Sequence, residues 1–200
     1  MQDKTTKTLL VSSARTLFLE KGYEHTPVEE ICELAGLAKG TFFYHFETKQ
    51  SLVKYLLDMQ FAAMAEQVQK ALDTCVNPKE RLGAFIALLM SSELLPPEAS
   101  LYFRQKPEWY CKMYDDAGYK YFYPEIEDIL CEGVEKGWFA VRNVETTAHV
   151  LYHGLRAYLH AQFEKMENDE KFRKEAMEGM DEVVSKSLGL KPNAFRLAYI

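Results

Sequence analysis

Cysteine is scarce in this sequence. Four stand in 200 residues, at positions 32, 75, 111 and 131, and none forms a CxxC pair. That spacing excludes a readable zinc knuckle or redox motif. Scattered single thiols in a chain this long are expected to be reduced and mostly buried, as in a cytosolic protein. Long apolar runs are missing too. The longest, Ala84 to Met90, falls far short of the ~18 residues a membrane span needs. The opening residues, Met1-Gln2-Asp3-Lys4, lack the charged-then-apolar pattern of a signal peptide. A cytoplasmic protein with no membrane partner is therefore expected. Ten glycines and seven prolines are too few for collagen-like or low-complexity sequence. Positive charge is in deficit: 24 Lys and Arg against 30 Asp and Glu give a net charge of −6. A globally basic nucleic-acid binder is excluded, but a local basic patch is not. No Gly-rich phosphate loop and no Ser/His/Asp or Cys/His arrangement is readable. A non-enzyme without cofactor or metal is expected, although 30 acids leave room for a carboxylate pair.

What is present is ordinary globular sequence. Hydrophobic residues make up 48% and charged residues 27%, which excludes a wholly disordered chain. Helical periodicity recurs throughout. From Lys7 to Lys21, residues Leu10, Val11, Ala14, Leu17 and Phe18 make one apolar stripe, and Gly22 ends it. Thr26-Pro27 reads as an N-cap hydroxyl with Pro at N1, followed by Glu29 and Glu30 in the first turn. That helix ends at Ala35-Gly36. A short helix follows from Lys39 to His45. Thr48 caps a long one running to about Thr74, with Leu52, Tyr55, Leu56, Met59, Ala63 and Val68 on one side. Asn77-Pro78-Lys79-Glu80 is a clear helix start. Pro96-Pro97 and Pro107 bound a short helix, and Pro124 is expected to start or kink another that stops at Gly137. Helices are expected over Val144–Met166 and Asp169–Leu188. The second of these puts Phe172, Ala176, Met180, Val183, Val184 and Ser187 on one face. No stretch shows sustained alternation, so the fold class is all-α.

The residues with most chemistry lie between 22 and 52. A helix, a turn holding Gly36 and a second short helix make a helix-turn-helix. Phe42 and Phe46 are four apart and would face the core beside Val28 and Ile31. The other face presents Lys39, Thr41, Phe43, Tyr44 and His45, with Gly40 permitting close backbone approach. Such a face offers phosphate donors, base-edge donors and apolar contact for thymine methyls in a DNA major groove. Lys49 opens the next helix, where its ammonium can join backbone amides at a phosphate.

These residues resemble a known pattern. Ala14-x2-Leu17-Phe18-x3-Gly22-Tyr23-x2-Thr26, then Ile31-x3-Ala35-Gly36, then Lys39-Gly40-Thr41-Phe42-x-Tyr44-His45-Phe46-x2-Lys49-x2-Leu52 closely resemble the N-terminal domain of TetR-family transcriptional regulators. The likeness covers about the first 55 residues. Further on, Gly133-x3-Gly137-x-Phe139 and the long helix after it look similar to the family's late region. The resemblance implies a three-helix DNA-binding head over residues 1–48 and a helical ligand-binding and dimerisation body over 49–200. It implies a homodimer on a pseudo-palindromic double-stranded operator, repressing until a small effector binds. Its DNA contacts would be Thr26, Pro27, Lys39, Gly40, Thr41, Phe43, Tyr44, His45 and Lys49, with Thr26, Tyr44 and Lys49 at phosphates. Three departures bear on affinity. Ala38 stands where the family often has a capping Ser or Thr, and Phe43 where Tyr is common. Residues 1–55 hold seven basic and seven acidic side chains, although 38–54 carries +2.

The body has its own signals. Eleven aromatic or Met side chains crowd residues 102–138, more Tyr and Trp than a plain core needs. Tyr102, Phe103, Trp109, Met113, Tyr114 and Phe122 are the expected pocket lining for a lipophilic or aromatic effector, together with His149 and His153. These two histidines, at i and i+4, lie on one helical face with His160, which is ~16 Å further along the axis than His149. They read as pocket or interface polar lining, as exposed side chains, or as a two-histidine metal site. The long fourth helix would link head and body. A helical small-molecule binder without DNA binding, or an enzyme, are the alternative classes.

Overall fold

The computed structural model describes residues 2–90 and 108–197. Eight helices and no strands lie among them. They are α1 (Gln2–Lys21), α2 (Val28–Ala35), α3 (Lys39–His45), α4 (Lys49–Leu72), α5 (Pro78–Met90), α6 (Glu108–Glu135), α7 (Val144–Asn168) and α8 (Glu170–Ser187). The all-α reading is correct. The breakers Pro96-Pro97 and Pro107, and the expected pocket residues Tyr102 and Phe103, lie outside the described residues.

The chain divides into two compact units. A head unit takes in α1 to α3, α4 as far as Ala62, and the start of α6 up to Ala117. A body unit takes in the rest of α4 from Ala63, α5, and everything from Gly118 onward. The division expected at residues 48 and 49 falls at the start of α4, so the compact head extends further along that helix.

In the head, the α1 stripe of Leu10, Val11, Ala14, Leu17 and Phe18 is buried. It is joined by Ile31 and Cys32 of α2, Phe42 of α3, and Leu52, Val53, Leu56, Leu57 and Phe61 of α4. Each Val, Leu, Ile or Phe among them contributes about 1.5–3 kcal/mol by leaving water. Met59 was expected on the inner side of α4 but is half exposed; Val53, Leu57 and Phe61 take the inner positions. The α2–α3 turn is set by Gly36 at φ 67°, a left-handed conformation that costs any residue with a Cβ. Its N–H donates to Glu33 O and that of Leu37 to Cys32 O, which ends α2 sharply. The helix α3 starts at Ala38 without a side-chain cap. Thr48 and Ser51 cap α4: Thr48 Oγ1 accepts from Ser51 N–H at 3.0 Å and Ser51 Oγ from Thr48 N–H at 3.1 Å.

In the body, Asn77 Oδ1 caps α5 by accepting from Glu80 N–H at 2.9 Å. Pro124 neither starts nor ends a helix; α6 runs through it. Pro124 is on the exposed side, where a carbonyl that loses its helical N–H partner faces solvent. The Gly133–Gly137–Phe139 motif closes α6. The N–H groups of Trp138 and Phe139 both donate to Gly133 O, and the Phe139 ring lies where a Cβ on Gly133 would be, 2.0 Å from Cδ2. The helices α7 and α8 pack on each other around Met166, Ala176 and Met180, with Leu155, Leu159, Phe172 and Met177 half-buried against them. Val183 does not share the buried face of α8 as expected. It is 58% exposed, and Ala176, Met180, Asp181, Val184 and Ser185 point inward instead. Asp181 fixes the segment after α8. Its carboxylate accepts from Ser185 Oγ at 2.8 Å, Phe195 N–H at 3.2 Å and Leu197 N–H at 3.1 Å. Of the four free cysteines only Cys32 is buried; Cys131 is exposed.

Candidate functional site

The short helix α3 has two unlike faces. Phe42 and Phe46 are buried, their ring centroids 5.8 Å apart, and Phe46 also meets Tyr55 at 5.7 Å. On the other face Tyr44 is 77% and Phe43 48% exposed, beside exposed Lys39 and Gly40 and half-buried Thr41 and His45. The edge of the Tyr44 ring meets His45 at 5.0 Å. The rings of Phe42, Phe46 and Tyr55 therefore hold a seven-residue helix so that two large rings stay in water.

Three lysines of the head are engaged by neighbours. Lys39 Nζ donates to Glu29 on the first turn of α2 and lies 5.9 Å from the Phe43 ring centroid. That hydrogen bond from Lys39 holds the Glu29 carboxyl below the usual carboxylate range. Lys21 pairs with Glu30 in the same way. Lys7 Nζ stands 3.7 Å from the Tyr55 ring centroid and 5.3 Å from that of Phe46.

Two expected phosphate anchors are placed differently. Thr26 is fully buried, and its hydroxyl donates to Gly22 O at 2.8 Å. It is not the cap of α2, since Pro27 occupies the N-cap position and no side chain caps that helix. The hydroxyl is consumed in closing the α1–α2 corner, so it presents nothing at the surface. Lys49 Nζ donates to Tyr23 O at 2.6 Å and Thr26 O at 2.9 Å, and lies 4.0 Å from the Tyr23 ring centroid. Burial pushes this ammonium below the usual lysine range. Two of its three N–H groups thus brace the same corner from inside. Pro27 is exposed at the start of α2.

Sequence reasoning took Glu29 only for a first-turn acid and gave Lys7 no role. The Glu29–Lys39 spacing of ten residues has meaning only once the Gly36 turn folds α3 back beside α2. The partners of Lys7 are 39 and 48 residues away in the chain, and no local pattern signals them.

The expected pocket residues separate into two groups. Trp109, Met113 and Tyr114 belong to the head unit. Trp109 meets Tyr23 at 5.0 Å, Tyr114 meets Phe61 edge-on at 4.9 Å, and Met113 is half-buried. Phe122, His149 and His153 belong to the body unit. Phe122 is core, edge-on to Phe85 at 6.3 Å. The histidines join a stack that sequence reasoning did not assemble. Tyr123 lies on His149 at 4.4 Å, Tyr119 on His153 at 5.7 Å, and the two tyrosines on each other at 4.7 Å. Tyr152 closes the stack edge-on to Tyr119 at 5.8 Å. The i, i+4 pairs of α6 and α7 thus face each other ring on ring. Tyr123 donates to Glu127 at 3.1 Å; burial first, then that bond, pushes its phenol up to about 12. No group of three metal-ligating side chains converges among the described residues. No described helix is long and apolar enough to cross a membrane.

Comparison with known proteins agrees with this geometry. The family model for bacterial regulatory proteins of the tetR family matches residues 10–56. The regulator QacR of Staphylococcus aureus, an HTH-type transcriptional regulator, is 30% identical over 91 residues, or 46% of this chain and 48% of QacR. The chain thus spans about half the length of QacR. The HTH-type transcriptional repressor KstR2 of Mycobacterium tuberculosis is 27% identical over 65% of this chain and 67% of its own. Among solved structures, RolR in complex with resorcinol covers 98% of this chain and 94% of its own at a TM-score of 0.69 and 20% identity. FadR of Bacillus subtilis, in complex with stearoyl-CoA, covers 79% of this chain and 87% of its own at 0.60 and 18% identity. These two likenesses establish the fold. Residues 10–56 thus match the tetR-family model of bacterial regulatory proteins, and the all-helical fold of the chain is similar to that of these solved regulators.

Proposed function

We propose that this protein is a cytoplasmic, non-enzymatic transcriptional repressor that binds duplex DNA through α3 and releases it when a small aromatic or lipophilic molecule binds. One observation carries the reading. Tyr44, the most exposed large aromatic among the described residues of the head, stands with Phe43 on a helix whose opposite face is locked into the core. A large ring left in water on a rigid short helix is a contact surface. The contacts are then Lys39, Gly40, Thr41, Phe43, Tyr44 and His45, with Pro27 at the flanking turn. Thr26 and Lys49 leave that set because their polar groups are used internally.

A homodimer is proposed through α7 and α8. Val150, Gly154, Ala157 and Ala161 recur at i, i+4, i+7 and i+11 on exposed positions of α7, and Val183 is exposed on α8. Such a stripe of small and apolar residues suits helix packing across a two-fold axis. Two heads so related would require a pseudo-palindromic operator with half-sites about one turn, or a multiple, apart. Effector binding by the body is supported by the Tyr119, Tyr123, His149, His153 and Tyr152 stack, whose planar faces suit a planar partner. The solved complexes of RolR with resorcinol and FadR with stearoyl-CoA make a small-molecule effector a consistent choice.

The test is a mobility shift with genomic fragments at low and high salt. Wild type should retard a subset of fragments. Tyr44→Ala should weaken that binding at least about tenfold, the value of one or two good contacts, with unchanged circular dichroism. Retardation of no fragment, or full binding by Tyr44→Ala, would overturn the reading. Sedimentation should give a dimer, and Val150→Lys with Val183→Lys a monomer.

A further inference from the structure

Of the two lysines expected to contact DNA, Lys49 turns inward and Lys39 stays at the surface, where it is not idle. Its ammonium is held by Glu29, with both side chains more than half exposed, at 55% and 59%. The Phe43 ring lies beside the same ammonium. Glu29 is on α2, outside the face expected to meet DNA, yet it controls the charge that face presents. The carboxylate is therefore in the position a DNA phosphate oxygen would take on this lysine.

We propose that Glu29 is a positioning residue that acts on DNA binding through Lys39: it withholds the ammonium until a phosphate displaces it. This rests on the DNA-binding reading above. The energetics permit the exchange. An exposed ion pair in water is weak, so a phosphate can take the cation over, but breaking the pair still subtracts up to about fivefold from affinity. A phosphate neutralised by lysine releases counterions condensed on the DNA whether or not that lysine was first paired with Glu29, so the pair is read in affinity and not in the salt slope. Because non-specific binding is almost wholly this phosphate term, Glu29 limits retention on non-cognate duplex.

The experiment is a double-mutant cycle on the full chain: wild type, Glu29→Gln, Lys39→Ala and the pair. Each is titrated with a fragment that wild type retards and with a random-sequence duplex, from low to high salt. Gln keeps the side-chain length and removes the charge. Glu29→Gln should tighten binding to both duplexes by about threefold to fivefold at each salt concentration. In the Lys39→Ala background the same change should gain less than about twofold, because there is no ammonium to release. An equal gain in both backgrounds would mean that Glu29 merely repels phosphates, and would overturn the proposal. So would binding by wild type with no gain, or a loss, in Glu29→Gln. If neither wild type nor Glu29→Gln retards any duplex, the DNA-binding reading itself is wrong and this inference goes with it.

Discussion

Charged and polar groups are partnered in both units, but at different depths. In the head, Lys39–Glu29 and Lys21–Glu30 are surface pairs. The body has surface pairs too, Lys171–Glu175 and Lys186–Glu182, but there Arg81 also holds Glu125 at 2.7 Å and Glu132 at 2.5 Å with all three side chains less than a third exposed, and Asp181 is 1% exposed with three donors on its carboxylate. Surface pairs are cheap to exchange because water and ions compensate either partner; buried groups are not, because a lost partner leaves a desolvated charge. Surface pairs in either unit can therefore be traded for other partners, whereas the buried charges of the body fix helices and the segment after α8. Lys49 is the exception in the head, a half-buried cation that behaves like the body's.

That contrast can be broken most sharply at Asp181. Asp181→Asn puts an amide N–H group against one of three donors and should cost about 2–4 kcal/mol of stability in urea denaturation. A loss under about 1 kcal/mol would mean that the body's buried carboxylate is as exchangeable as the head's pairs. Next comes Gly133→Ala. A methyl there meets the Phe139 ring, which cannot move freely, so a loss of about 1–3 kcal/mol is expected. No matching Cβ clash arises at Gly40 in the head, where nothing lies within 4 Å, so Gly40→Ala should change stability far less.

Lys49→Met tests the exception. It should cost about 1–2 kcal/mol through the two abandoned carbonyls and lower DNA affinity only by loosening the α1–α2 corner. The salt slope of binding should then stay at the wild-type value. A slope reduced by about one ion would instead put this ammonium on a phosphate. The smallest effect should be in acid. Hydrogen bonds from Lys136 and then Arg81 hold the Glu132 carboxyl below its ordinary range. A carboxyl depressed in the native state adds stability above the ordinary carboxylate range, and that increment is lost as pH falls through the native value. Wild type should therefore lose stability more steeply than Glu132→Gln as pH falls through and below the ordinary carboxylate range. Parallel curves would remove this pair from the body's account.

Much of the head could be read from the chain because its signals are local. The α1 stripe, the Gly22 and Gly36 stops, and the span of α3 each depend on residues within a few positions of one another, where helix periodicity and turn chemistry operate. The two faces of α3 followed from Phe42 and Phe46 standing four apart. Hydroxyls and ammoniums were harder to read. Thr26 before Pro27 has the sequence of a cap, but the α1–α2 corner draws its hydroxyl to Gly22 O. The ammonium of Lys49 turns to carbonyls 23 and 26 residues back because the start of α4 lies against that corner.

In the body the sequence determined helix composition and ends, as at Asn77, Gly137 and Asp169. Only the tertiary structure decided what faced what. Pro124 was read as a helix start or a kink; it is not a start, because α6 runs through it with the proline on its exposed side. Val183 and Val184 are adjacent valines of equal hydrophobicity. A rotation of ~100° about α8 leaves one 58% exposed and the other buried, and composition cannot choose between them. The Tyr119, Tyr123, His149 and His153 stack needs α6 and α7 in register. The pairing of Glu29 with Lys39 needs the Gly36 turn. Periodicity is a property of neighbours along the chain, whereas the partner of a long polar or aromatic side chain is set by whichever element packing brings within reach.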